Sequence, residues 1–254
     1  MKTLVVAIQK GGQGKTFATC HLAFDFAERG LRVGVIDLDT QENASLTLSA
    51  YKAKLSASQL FSGKPQALKR HLKSHENSKL TLIAADSKLA NLDKMKLSKA
   101  ASALQASIAV LSEFFDVCII DTAPSLGVAM TSAILCADYM LSPIEVEAYS
   151  LQGMGMMVTV IGNLRKQNPK LKFIGLLPNK VELWKPRQHA NLTVLRQRYP
   201  KLVLPCSIGA RDSIAEALGE GMPVWKMRKS AAQKAKKEVR AMTNYVHKAM
   251  EIAQ

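Results

Sequence analysis

Thr3-Leu4-Val5-Val6-Ala7-Ile8-Gln9 runs straight into Lys10-Gly11-Gly12-Gln13-Gly14-Lys15-Thr16, and the reading of this junction decides the fold. The apolar, β-branched run reads as a buried strand. The glycines let the backbone turn tightly, so successive N–H groups can point inward at phosphate oxygens. The helix that follows adds the positive end of its dipole. Lys15 is placed to reach β- and γ-phosphates, and the Thr16 hydroxyl to ligate Mg2+. At Gln13 mainly the backbone N–H is needed. Strand, glycine loop and helix come in the order that nucleotide phosphates require.

Further strands are expected at 32–38, 80–85, 116–122, 139–145, 173–178 and 202–207, with the first at 3–9. Several are continuous apolar runs, as in strands covered on both faces of a parallel sheet. A helix is expected over 15–29, ending at Gly30, with Leu22, Ala23, Phe26 and Ala27 as its apolar stripe. Strands alternating with helices predict an α/β fold, a doubly wound, mostly parallel sheet flanked by helices. Residues 228–253 read as a closing helix, with Ala235, Val239, Met242, Val246 and Met250 as its core stripe. Residues 49–79 are Ser-, Lys- and Gln-rich and the least regular, and are expected to form a surface excursion. With no repeat or linker, 1–254 reads as one domain.

The 254 residues carry 35 Lys+Arg against 20 Asp+Glu, a net charge of +15. At 48% apolar the chain is a folded protein and not a disordered basic tail. No apolar run approaches a membrane span, and the N-terminal run is too brief for a signal peptide. Cys20, Cys118, Cys136 and Cys206 lack zinc or disulfide spacing and read as buried thiols of a cytoplasmic protein. Residues 101–150 contain six acidic side chains and no Lys or Arg, whereas 51–100 carry eleven basic and three acidic. Such segregation points to a basic face for a polyanion.

Two aspartate segments complete the candidate site. Val33–Asp39 ends a strand on Asp37 and Asp39, and Phe115–Leu126 (FDVCIIDTAPSL) places Asp121 after an apolar run. Both suit the sheet edge where α/β proteins bind ligands. With the second lysine, Lys10, the loop resembles the KGGxGK[ST] motif of the ParA/MinD family of deviant Walker A ATPases. The resemblance implies a P-loop NTPase fold, ATP and Mg2+ as cofactors, and an ATP-dependent homodimer in which Lys10 reaches the partner's nucleotide. It also implies that Asp39 orients the attacking water and that Asp121, as the Walker B residue, lies near the metal; Asp37 stays unassigned. Pro143–Gly153 and Pro205–Trp225 resemble further family segments. Phe17 belongs to the nucleotide-binding set but replaces a Thr or Ser that touches the α-phosphate. Thr40 stands for the usual Pro and Glu42 for the usual Gly. Asn179 either hydrogen-bonds an adenine or forms a turn.

Seven positive charges fall within residues 226–240: Lys226, Arg228, Lys229, Lys234, Lys236, Lys237 and Arg240. Lys185, Arg187 and Arg211 extend this candidate DNA face. It would bind phosphates without reading bases. With the loop at residue 10, no DNA-reading helix-turn-helix is expected ahead of it. The resemblance therefore implies a nucleoid-associated partition ATPase that binds double-stranded DNA non-specifically and is stimulated by a ParB-type centromere-binding protein. The alternative is a MinD-like ATPase cycling on membranes. No membrane partner is expected, because the Met250–Gln254 ending is short and carries no Lys or Arg.

Overall fold

The computed structural model describes residues 1–146, 159–160 and 162–252. Seven strands form one sheet: β1 (Lys2–Val6), β2 (Val33–Leu38), β3 (Lys52–Ser56), β4 (Leu80–Ala84), β5 (Val117–Thr122), β6 (Tyr139–Glu145) and β7 (Lys172–Asn179). Their order is β3-β4-β2-β5-β1-β6-β7, and every pairing is parallel. The helices are α1 (Lys15–Glu28), α2 (Asn43–Thr47), α3 (Pro65–Leu72), α4 (Leu97–Leu111), α5 (Val128–Cys136), α6 (Pro186–Arg198), α7 (Asp212–Gly219) and α8 (Ala232–Ala249).

The expected continuous apolar strands are buried along their whole length at β2, β4 and β5. One core face joins them to α1, α7 and α8, through Phe26, Leu22, Ile214, Val239 and Met242. The other joins them to α3, α4 and α5, through Leu68, Leu104 and Ile134. Burial of apolar side chains on both faces is what makes the sheet the centre of the molecule.

Three expectations change. The excursion at 49–79 contains a strand, β3, and the helix α3. Lys-Ala-Lys-Leu-Ser hides that strand, since only Ala53 and Leu55 are apolar; it is an edge strand with one solvated face. The 202–207 run forms no strand. It meets β7 through a single bridge, Leu176 to Val203, and Pro205 has no N–H to continue a ladder. Gly175, at φ +141°, allows that approach: a Cβ there would lie 2.7 Å from the Leu202 carbonyl oxygen. The closing helix spans Ala232–Ala249 and stops where Glu251 turns left-handed, at φ 52°. Residue 253 of the expected helix, and 147–153 of the family-like segment, lie outside the described residues.

His21 ties the middle of α1 to the chain before α8. Its Nε2 accepts from the Val224 N–H at 3.2 Å, so the network assigns the other proton to Nδ1, which faces the Phe17 carbonyl at 3.0 Å. Burial lowers its pKa from 6.5 to about 4. The unfolded chain therefore binds a proton that the folded chain refuses between those values. The neutral ring's contribution is intact above about pH 6.5 and lost as pH falls toward 4. Chemical unfolding of wild type and His21→Gln should show their stability difference shrinking by about 2 kcal/mol between pH 7.5 and 5. A difference independent of pH would contradict this reading.

Candidate functional site

The ends of β1, β2 and β5 lie side by side, with Val6 and Asp37 both opposite Asp121 in register. The glycine loop leaves β1 there and turns into α1. Gly12 and Gly14 adopt φ of 74° and 98°, the left-handed region that glycine enters without strain. At Gly14 a Cβ would fall 2.1 Å from Asn179 Nδ2, so a side chain there would push Asn179 off the loop.

The loop is braced from behind. Asn179 Nδ2 donates to the Gln13 carbonyl at 2.8 Å, and the Glu145 N–H donates to Gln13 Oε1 at 2.7 Å. The buried Gln13 side chain thus pins the loop to the end of β6, and Asn179 pins it to the end of β7. Sequence reasoning missed this use of Gln13, because its partners at Glu145 and Asn179 are far away in the chain. Asn179 is buried under the loop, and its amide nitrogen is engaged there.

Above the loop opens a cleft of about 760 Å³, lined by Gly12, Lys15, Thr16, Asp39, Leu46 and Leu218 among others. Lys15 is buried, which lowers its pKa, against the opposing pull of Asp121 and Asp39. Thr16 Oγ1 donates to Asp121 Oδ2 at 2.7 Å and Thr19 Oγ1 to Asp121 Oδ1 at 3.3 Å. Burial, then the neighbouring Asp37, pushes the Asp121 carboxyl up to about 7. Asp37 is raised by burial too, but it does not face the cleft as a ligand. It accepts from the Asp39 N–H at 3.0 Å and from Ser45 N–H and Oγ at 2.8 and 2.7 Å. Asp37 therefore shapes the turn that presents Asp39, settling a residue left unassigned. Glu42 sits in that turn at φ 57°, a conformation that fits the glycine expected there.

Phe17 turns away from the cleft. Its ring is buried 5.0 Å from the His21 ring, leaving only its backbone for a ligand. Lys10, Gly11 and Gly12 are exposed at the loop's mouth. These groups fit a nucleotide triphosphate with its metal: a glycine loop lining the cleft, a buried lysine, and a hydroxyl backed by a carboxylate. No His/Cys/Asp/Glu cluster of the kind that holds a metal alone occurs among the described residues.

The candidate DNA residues separate into two groups. Arg211 pairs with Glu238 at 2.8 Å, Lys226 with Glu28 at 3.6 Å, Lys185 with Glu182, and Lys229 with Glu216. Arg240 joins α8 to α1: it pairs with Asp25 and Glu28 and stacks 3.7 Å over the Trp225 ring. Burial raises the Glu28 carboxyl, but hydrogen bonds from Trp225 and Arg240 outweigh that and hold it below its ordinary value. Arg187, Arg228, Lys236 and Lys237 make no ion pair among the described residues.

A glycine loop, a metal-side threonine and a buried carboxylate at the edge of a parallel sheet define a P-loop ATPase. The "AAA domain" family model matches residues 1–173. The chain is 71% identical to Protein IncC of Escherichia coli, over all of this chain and 71% of that protein. It is 30% identical to the chromosome-partitioning ATPase Soj of Thermus thermophilus over 70% of this chain and 68% of that one. A solved Mycobacterium smegmatis structure, cobyrinic acid a,c-diamide synthase with bound ADP and magnesium, is 29% identical with a TM-score of 0.70, covering 87% of this chain and 91% of its own. The chain belongs to the ParA/MinD family of deviant Walker A partition ATPases.

The Asp25 carboxylate is fully buried, so removing a cationic partner leaves it under-compensated. Arg240→Gln should cost roughly 1–3 kcal/mol in urea unfolding, and Lys237→Gln less than about 0.5. Equal costs would contradict the separation into structural and open charges.

Proposed function

We propose that this chain is a single-domain plasmid partition ATPase whose affinity for DNA is switched by ATP. The observation that carries the reading is the Thr16–Asp121 contact under a cleft that Lys15 and Asp39 share. Mg2+–ATP, when bound there, supplies the phosphoryl group and a cation that neutralises it. Gly11, Gly12, Gln13, Gly14 and the Phe17 backbone would cradle the phosphates, and Lys15 would neutralise them. Thr16 would hold the metal, with Asp121 behind it through water. Asp39, fixed by the Asp37 turn, would orient the attacking water. Lys10, at the exposed mouth of the loop, would act on the nucleotide of a second copy. Asn179, besides bracing the loop, has its carbonyl oxygen left for an adenine amino group.

Exposed apolar side chains support dimer formation at this edge. Leu46 follows β2, Leu126 follows β5, and Leu183 and Trp184 follow β7; all four are largely exposed and all leave the nucleotide end of the sheet. Apolar surface gathered at one end marks an interface. A dimer would join two basic faces, which raises affinity for a polyanion by avidity. Hydrolysis stimulated by a ParB-type partner would release the dimer, cycling the protein between cytoplasm and nucleoid. No helix among the described residues is long and apolar enough to cross a membrane.

Co-sedimentation with duplex DNA tests the switch. DNA binding should be at least roughly tenfold tighter with ATP than with ADP or no nucleotide. Lys15→Ala should lose nucleotide binding and the ATP effect together, whereas Lys10→Ala should keep ATP binding and lose hydrolysis. Equal DNA binding in all three nucleotide conditions would contradict the proposal. Flotation with anionic vesicles, without DNA binding, would replace it with the MinD-like reading.

A further inference from the structure

Residues 51–79 carry seven Lys or Arg against one carboxylate, Glu76. The fold sets part of that charge along the outer edge of the sheet, on both sides of one strand. β3 is the outermost strand and pairs only with β4, and α3 packs against it. Ala53 and Leu55 of β3 share a core cluster with Leu68 and Leu72 of α3. Burying those four residues forces Lys52 and Lys54 out on the opposite face of the strand, where both are exposed. Side chains two apart on one face stand about 6.6–7 Å from each other. Around the edge, Arg70 and Lys73 are exposed at the end of α3.

This charge is open. Lys69 pairs with Glu113 at 2.7 Å and Lys79 donates to the Gly30 carbonyl. Lys52, Lys54, Arg70 and Lys73 make no ion pair among the described residues. At the C-terminal end, by contrast, five of the ten candidate DNA residues already hold a carboxylate. A paired cation must give up that partner to meet a phosphate, whereas an open one releases only counterions.

We propose that the β3 edge, through Lys52 and Lys54 on the strand, Arg70 on α3 and Lys73 just after it, is a second contact surface for the phosphate backbone of duplex DNA. It rests on the DNA-binding reading above and adds a face at the opposite end of the sheet from β7. Charge complementarity selects the occupant. A bilayer would need an apolar wedge, and among the described residues of this segment Tyr51, 37% exposed, is the one large apolar side chain at the surface. The four cations meet phosphates without reading bases, so this face contributes affinity and not sequence preference.

The test compares wild type with Lys52→Gln/Lys54→Gln/Arg70→Gln/Lys73→Gln, by fluorescence anisotropy on duplex DNA with ATP across a salt series. The four positions are exposed and make no ion pair among the described residues, so thermal unfolding and DNA-free ATP hydrolysis should match wild type. DNA affinity should fall at least tenfold, and the slope of log affinity against log salt should weaken by about 3–4. Arg187→Gln/Lys236→Gln/Lys237→Gln in the same assay should add its own loss. Wild type binding DNA while the edge variant matches it in affinity and slope would overturn this inference alone. Loss of binding to phosphatidylserine vesicles with DNA binding intact would overturn it in favour of a membrane. Wild type binding no DNA in any nucleotide state would overturn the partition reading and this inference together.

Discussion

A carboxylate buried at the end of β5 sets the terms for everything around it. Asp121 has almost no contact with water, stands beside Asp37 in register, and feels Asp39 as well. Several kcal/mol oppose a buried charge that lacks compensation. Two threonine hydroxyls from α1 and the nearby Lys15 supply part of it. The rest of the negative field is directed at the cleft, where a divalent cation would be most strongly held. The glycine loop, Thr16 and the Asp37 turn are arranged around that one electrostatic requirement.

α1 carries the consequence across the molecule. Its first turn holds Lys15, Thr16 and, one turn on, Thr19. Its middle presents His21 to Val224, and its end presents Asp25 and Glu28 to Arg240, Trp225 and Lys226. One rigid helix therefore links the phosphate loop to the base of the basic C-terminal helix. Arg240 belongs to that joint, which explains why its charge is spent inside the protein.

The fold was readable where burial on both faces wrote continuous apolar runs, as at β2, β4 and β5. It was hidden at β3, because an edge strand needs only Ala53 and Leu55 to be apolar. It was overread at 202–207, where Val203 and Leu204 are buried beside β7 but Pro205 stops the ladder. In the candidate site, the grouping of Lys15, Thr16, Asp39 and Asp121 was legible, because phosphate and metal chemistry restricts residue types and spacing, and the structure brings the four together at one cleft. The roles of Gln13 and Asp37 were not, since each depends on partners far away in the chain: Glu145 and Asn179 for one, Ser45 for the other. The ion pairs of Arg211, Lys229 and Arg240 were equally invisible, because a run of charge does not name its carboxylates.

Isothermal titration of ATP, with Mg2+ and with EDTA, tests most directly whether the buried carboxylate governs the site. Wild type should bind at least roughly tenfold more tightly with Mg2+, and Asp121→Asn, which keeps the shape but removes the charge, should lose most of that difference. Equal affinity of wild type in Mg2+ and EDTA, or a full Mg2+ effect in Asp121→Asn, would contradict the account.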